Sequence, residues 1–302
     1  MLDRFAFALL LMCSFARAGE GVAPLAYRSP HAEIPAGFTI RHPVDGAEMV
    51  WVPEGYFRMG LNADTAQKQA EQLGLKDFRI MAGEESFPER VVYVQGFYID
   101  MYEVTFERWK QFVDATQWKA DKIVPTWTGP DLKPAEAKLP IASVTWKAAQ
   151  EYANWSHKQL PTEAMWEKAA RGTDGRWYPW GNEKPSREYG VITLKDSLRG
   201  PEPVGSYPKG ASPYGCMDMA GNVYEWTSEW KEPYPNSPEP APKPGSAHTY
   251  VALRGGSFYH PLHSYRTAKR MGFEPHETYF HVGFRTAWFP PDDFDHKKHE
   301  AK

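Results

Sequence analysis

From Thr173 onward the chain offers only brief apolar runs, each cut short by glycine, proline or an aromatic residue, so no segment there has the length or period of a packed helix. Irregular backbone must still satisfy its N–H and C=O groups, and long stretches of it require side chains, water or bound cations as partners. Twelve tryptophans, 27 prolines and 24 glycines in 302 residues describe a loop-rich fold held by aromatic packing rather than by long helices. With 42% hydrophobic residues the core is sizeable, and the length sits at the upper end of what one α+β domain uses.

Regular structure is therefore expected in the first half. EMVWVPEGYFRMG (48–60) alternates apolar and polar positions and closes on glycine, as a strand with a turn does, and RVVYVQGFYIDMYEV supplies a second strand. DTAQKQAEQLGL (64–75) reads as a short polar helix in an insertion. Thr105 is placed to cap FERWKQFVDATQ, whose Phe106, Trp109, Phe112 and Val113 share one face. A second helix runs through WKAAQEYANWSHK, with Trp146, Ala149, Tyr152 and Ala153 inward. Thr162 caps a third, EAMWEKAARG, which Gly172 ends. EPYPNSPEPAPKPG (232–245) is a proline-rich surface loop, and there is no internal repeat.

A net charge of −3 with mixed signs leaves no electrostatic footprint for nucleic acid or an anionic membrane. Residues 1–18 carry Arg4, the apolar run Phe5–Met12 and an Ala16-Arg17-Ala18 end, the pattern of a cleavable signal peptide, so a periplasmic or secreted location is expected. A lipoprotein anchored at Cys13 is the rival, although Met12 suits it poorly. No later segment approaches the ~20 apolar residues of a membrane span. Residues 19–45 read as an N-terminal arm, 46–289 as the folded domain and 290–302 as a solvated charged tail. Removal of the leader leaves Cys216 as the one thiol, a buried hydrophobe by type rather than a nucleophile.

The stretch LRGGSFYHPLHSYR (253–266) concentrates the chemistry. Two glycines let backbone approach a ligand closely before Ser257, while the same residues also suit a plain turn beside a buried strand. His260 and His263, with His281 or Glu274, form a candidate histidine and carboxylate set for iron, copper or zinc. As metal-free groups, His260, His263 and Glu274 are candidate acids and bases, and a purely structural role stays open. Pro261 disfavours a helix that would stack His260 and His263. Ser257, Tyr259, Arg266 and Arg270 are candidate substrate contacts, the arginines by pairing with anions.

Four blocks occur in one order: WVPEGYFRMG; FYIDMYEVTFERWKQFV; QLPTEAMWEKAARG with YPWGNE; and YGCMDMAGNVYEW followed by LRGGSF and HVGFRTA. Together, over roughly residues 48–288, they resemble the formylglycine-generating enzyme, or sulfatase-modifying factor, family, in its cysteine-free branch of the pyoverdine-maturation oxidase type. The resemblance implies a complex C-type-lectin-like α+β fold with little regular secondary structure and with structural calcium. It places the ion at DMAGNVYEW, on the main-chain carbonyls of Asp218, Gly221 and Val223 and the carboxylate of Glu225. A second ion is in doubt, because the family's asparagine is Gly190 here, with Val191 and Asp196 nearby. It also implies that Arg285 pairs with a buried carboxylate.

The family's formylglycine generators hold copper on two reactive cysteines beyond the Gly-Gly-Ser turn. Here the first falls at His260 and the second is lost, so copper bound that way and sulfatase modification are not expected. Two functions remain in view: an exported oxidoreductase that tailors a peptide-derived small molecule such as a siderophore, and a non-catalytic accessory or ligand-binding protein, the partner of an exported enzyme. A sulfoxide synthase is a weaker third, since those enzymes draw their metal histidines largely from an additional helical domain that this chain lacks.

Overall fold

A computed structural model describes residues 31–74, 86–119, 136–193, 200–237 and 248–301. The leader 1–18, most of the proline-rich loop and Asp196 lie outside them. The fold is α+β of the C-type-lectin-like kind, with ten short strands and four helices among the described residues.

Each expected strand is in fact two. β2 (Glu48–Val52) and β3 (Gly55–Met59) are separated at Pro53-Glu54, and β4 (Arg90–Val94) and β5 (Phe97–Asp100) at Gln95-Gly96. The halves part company: β2 and β5 pair antiparallel with Trp51 opposite Tyr98, whereas β3 and β4 form their own two-stranded ribbon. Gly96 has a steric reason, because a Cβ there would stand 2.6 Å from the Trp51 ring. β1 (Thr39–Arg41) and β10 (Ala287–Trp288) complete a sheet in the order β1-β2-β5-β10.

Residues of both expected flanks take part in this sheet or pack on it. The arm joins the sheet by Thr39, and the tail packs against it: His296 is buried, its ring bonded to the Tyr98 hydroxyl at 2.7 Å and to His31 at 2.8 Å, while Phe294 meets Trp288 edge-on. Spaced aromatics among the charges carry this packing.

The helices follow their capping residues. α1 (Ala63–Leu73) begins at Asn62 and ends at a left-handed Gly74. α2 (Phe106–Thr116) and α3 (Trp146–Trp155) start at Thr105 and Thr145, each hydroxyl accepting a backbone N–H three residues on. Trp109, Phe112 and Tyr152 on these two helices meet Phe284 and Trp226 in the largest apolar cluster.

α4 (Glu163–Arg171), capped by Thr162, is buried nearly all round, although its sequence is full of charge. The charges are matched internally. Glu163 takes a bidentate pair from Arg270 at 2.7 and 2.6 Å, and Glu167 is shared by Arg171 and Arg254 at 2.8 and 2.9 Å. The Lys168 ammonium donates to the carbonyls of Pro53 and Gly55. Burial alone would raise the Glu163 carboxyl, but Arg270 and Arg254 outweigh it and hold the group down at about 2.

A second polar knot joins the β1–β2 connection to the helices. Asp45 accepts from His42, Arg108, Tyr152 and Lys158, and Asp100 from Arg108, Lys158 and Thr286. These are fully buried charges, tolerable only because every partner is in place.

Candidate functional site

The third sheet carries the site. β6 (Tyr224–Trp230), β7 (Val251–Arg254), β8 (Met271–Phe273) and β9 (Val282–Gly283) lie in the order β8-β7-β6-β9, and the short β6–β9 pair is parallel. That pair sets His281, whose carbonyl accepts the Tyr224 N–H at 2.9 Å, beside Tyr224. At the end of β7 the backbone turns through Gly255 and Gly256, both at positive φ, and a Cβ on Gly256 would come within 2.8 Å of the Ser264 carbonyl. The turn delivers Ser257, fully buried, and then His260.

Ser257 Oγ lies 2.7 Å from His260 Nδ1 and accepts the Tyr259 N–H at 3.3 Å. A serine hydroxyl can accept twice and donate once, so it holds the His260 ring at Nδ1 in either neutral tautomer. The Tyr265 hydroxyl steadies the turn from below by bonding the carbonyls of Ser257 and His260.

His260 and His281, 21 positions apart, meet with ring centroids 4.9 Å apart. Tyr224 stands edge-on to His260 at 4.8 Å, Tyr259 stacks on His281 at 5.6 Å, and Phe280 closes the edge at 4.8 Å. Tyr259 is 49% exposed and Phe280 55%, whereas His281 beneath them is 7% exposed. Desolvation lowers both imidazoles to about 4, with the charges of His281, His263 and Lys269 adding to the effect at His260. Near neutral pH the pair is uncharged. Both ring nitrogens of His281 are buried and without a hydrogen-bond partner among the described residues.

The other expected site residues are placed elsewhere. His263 sits on the 3₁₀ turn Leu262–Tyr265, one residue beyond Pro261, so it does not share a helical face with His260. Glu274 lies in a surface turn with His276, 3.4 Å from it, and Glu277. Those three are the set of three metal-ligand side chains found among the described residues, so His260, His263, Glu274 and His281 do not converge on one ion. Arg266 is buried with its guanidinium beside Tyr178, and its Nε donates to the His263 carbonyl at 3.0 Å. Arg270 is consumed by Glu163 and the Glu232 carbonyl. Arg270 does not offer its charge to an anionic ligand, because the Glu163 carboxylate and the Glu232 carbonyl take it up.

The loop expected to hold calcium is curled as such a loop must be, with Asp218, Gly221 and Asn222 all at positive φ. Gly221 and Gly190 interlock: a Cβ on either would stand 2.5 and 2.8 Å from the Val191 and Ala220 carbonyls respectively. Glu225 is the member that does not fit. Its two oxygens receive Arg285 at 2.7 and 2.8 Å and the Trp166 indole at 2.7 Å, a fully buried ion pair that competes with a cation. Asp218 does fit. Burial pushes its carboxyl up to about 6, although Gly205 donates to it at 2.7 Å. Glu103, missed by sequence reading, lies beside these two acids; it is fully buried, receives Asn222 and Val223, and is pushed well up by burial and then by Asp218 and Glu225. Three carboxylates thus face the single guanidinium of Arg285, an excess of buried negative charge that a divalent cation would neutralise. Cys216 is buried nearby, and desolvation raises its thiol to about 11.

The model of the sulfatase-modifying factor enzyme 1-like domain matches residues 37–289. The chain belongs to that family. Among sulfatase-modifying factor relatives, hercynine oxygenase of Mycolicibacterium smegmatis is 30% identical over 290 residues, 84% of this chain. The formylglycine-generating enzyme of Bos taurus is 28% identical over 323 aligned positions, covering 89% of this chain and 82% of its own. The chain spans 63% of the length of the hercynine oxygenase. The solved structure of PvdO from Pseudomonas aeruginosa superposes with a TM-score of 0.63 at 23% identity, over 84% of this chain and 98% of the other, and shares the fold.

Proposed function

We propose that this sulfatase-modifying factor protein is an exported oxidoreductase that tailors a peptide-derived small molecule, a siderophore precursor being the model case, at the cluster of Ser257, His260 and His281. The observation that carries the reading is the pair of desolvated imidazoles, one ring held by a serine and the other with neither nitrogen hydrogen-bonded among the described residues, beneath an exposed aromatic rim. The reaction would pass two electrons and two protons from a catechol or amine to dioxygen, which would leave as hydrogen peroxide, and neutral imidazoles can accept and return the protons. A family relationship to an enzyme named as an oxygenase supports the same class of reaction. Cys216 takes no part, being a buried thiol rather than a thiolate.

Calcium is proposed as the structural ion of this domain, drawing on the Asp218 carboxylate and the carbonyls of the Asp218–Val223 curl, with Glu225 left to Arg285. When bound it would supply positive charge to a buried acidic cluster and would take no part in turnover.

The alternative is a binding or accessory protein, favoured by the half-exposed Tyr259 and Phe280, which serve recognition without chemistry equally well. Oxygen consumption by the mature protein with dihydropyoverdine-like catechols separates the two. The oxidoreductase reading expects catalytic uptake, reduced in His260→Ala; absence of uptake with every catechol favours the binding protein.

A further inference from the structure

A buried imidazole with neither nitrogen bonded is anomalous, since buried polar side chains almost always find partners. Among the described residues His281 is such a group, and it is no remote core residue. Its ring lies under Tyr259 and against Phe280, two large aromatics that fold against each other edge-on at 5.2 Å while half of each faces solvent. Displacing the Tyr259 ring exposes the imidazole edge to a ligand without unpacking the sheet.

The chemistry of that ligand follows from what surrounds the ring. Neutral imidazole presents one N–H and one lone pair, which matches a group that both donates and accepts, above all a hydroxyl. Charge is poorly served there. Arg270 is turned to Glu163, Arg266 lies beside Tyr178 with its Nε on the His263 carbonyl, and burial is what lowers His281. The cover is aromatic, so the hydroxyl is best carried on a flat ring able to take the place of Tyr259 against Phe280.

We propose that His281, flanked by His260 and covered by Tyr259 and Phe280, recognises an uncharged hydroxyl carried on an aromatic ring, and that the cluster rejects the same ring bearing a carboxylate. The inference rests on the cluster being the ligand site of the function proposed above, and it adds both the recognition group and the charge of the substrate.

Three probes of one shape test it on the full mature chain: 4-ethylphenol, 4-ethylanisole, which lacks the donor, and 4-ethylbenzoate, which is anionic. Binding is followed by calorimetry and by the ¹⁵N shifts of the histidine rings. The phenol is expected to saturate at least tenfold tighter than either analogue, because a site built to bond a hydroxyl discriminates strongly against its loss, and to move the His281 signals most. His281→Phe keeps a flat ring and should erase the preference, while His276→Phe, on the surface turn, should leave it intact. Equal affinities for the three probes, a preference surviving in His281→Phe, or no saturable binding would overturn the proposal. Should His281→Phe not fold, the ¹⁵N shifts of the unmodified protein decide, and unmoved His281 signals on phenol binding contradict it. The readout needs no turnover: selective binding without oxygen uptake upholds this inference and removes the oxidoreductase reading, whereas uptake without hydroxyl selectivity does the reverse.

Discussion

Arg285 spends every one of its donors inside the protein: two N–H groups on Glu225 and the others on the carbonyls of Asp100, Met101 and Met217. Such a residue fixes geometry, since three chain segments converge on one planar group. Truncation in Arg285→Met leaves Glu225 buried beside Asp218 and Glu103 without a counter-charge. Urea unfolding should show a loss of about 3–5 kcal/mol, and a loss below ~1 kcal/mol would mean that the pair is solvated. That Arg285 would find a buried carboxylate was legible from its place in HVGFRTA; that the carboxylate is Glu225 was not, because Glu225 also has the residue type of a cation ligand. The histidines teach a similar lesson. The sequence offered His263, His281 and Glu274 alike as companions of His260, and the parallel β6–β9 pair, a long-range feature, is what selects His281.

Local signals located the helices well because capping and a 3.6-residue period are local physics: Thr105 and Thr162 start α2 and α4 as expected. They failed where tertiary structure overrides the local pattern. α4 is buried on nearly every side because arginines from distant strands neutralise it, and the two long strands break at Pro53-Glu54 and Gln95-Gly96 into different sheets. At the curl between β5 and β6 the glycine conformation is the controlling element. Gly221 has φ +93°, and the Val191 carbonyl lies 2.5 Å from where a Cβ would go. Gly221→Ala therefore combines backbone strain with a clash and should cost about 2–3 kcal/mol or more, with weakened calcium affinity; Gly175→Ala, at a similar φ but with open space around the Cβ, should cost distinctly less. Equal thermal shifts for the two variants would show that the interlock with Gly190-Val191 contributes nothing.

For the whole molecule, the buried acids make stability depend on pH, and the calcium proposed above would couple to the same groups. Asp218 has a folded value of about 6 against an ordinary 3.8, so its contribution is present at low pH and is lost as pH rises through that interval, about 3 kcal/mol in all. The neutral pair His260 and His281 acts in the opposite sense, losing stability as pH falls from 6.5 to about 4. Because the two trends overlap, the difference between calcium-loaded and chelator-treated protein is the informative quantity. It should widen from pH 4 to pH 6.5 and then level off, and a gap that is absent or independent of pH would remove calcium from the acidic cluster. Under the proposed function, this sulfatase-modifying factor domain works through imidazole rather than thiolate. The most direct measurement of this is oxygen consumption with one catechol substrate by the wild type, Cys216→Ser, and the double variant His260→Ala/His281→Phe. Cys216→Ser should retain the wild-type rate while the double variant falls at least ~100-fold, as loss of proton-transfer groups does. A rate lost with Cys216 and undiminished without the two histidines would contradict the account.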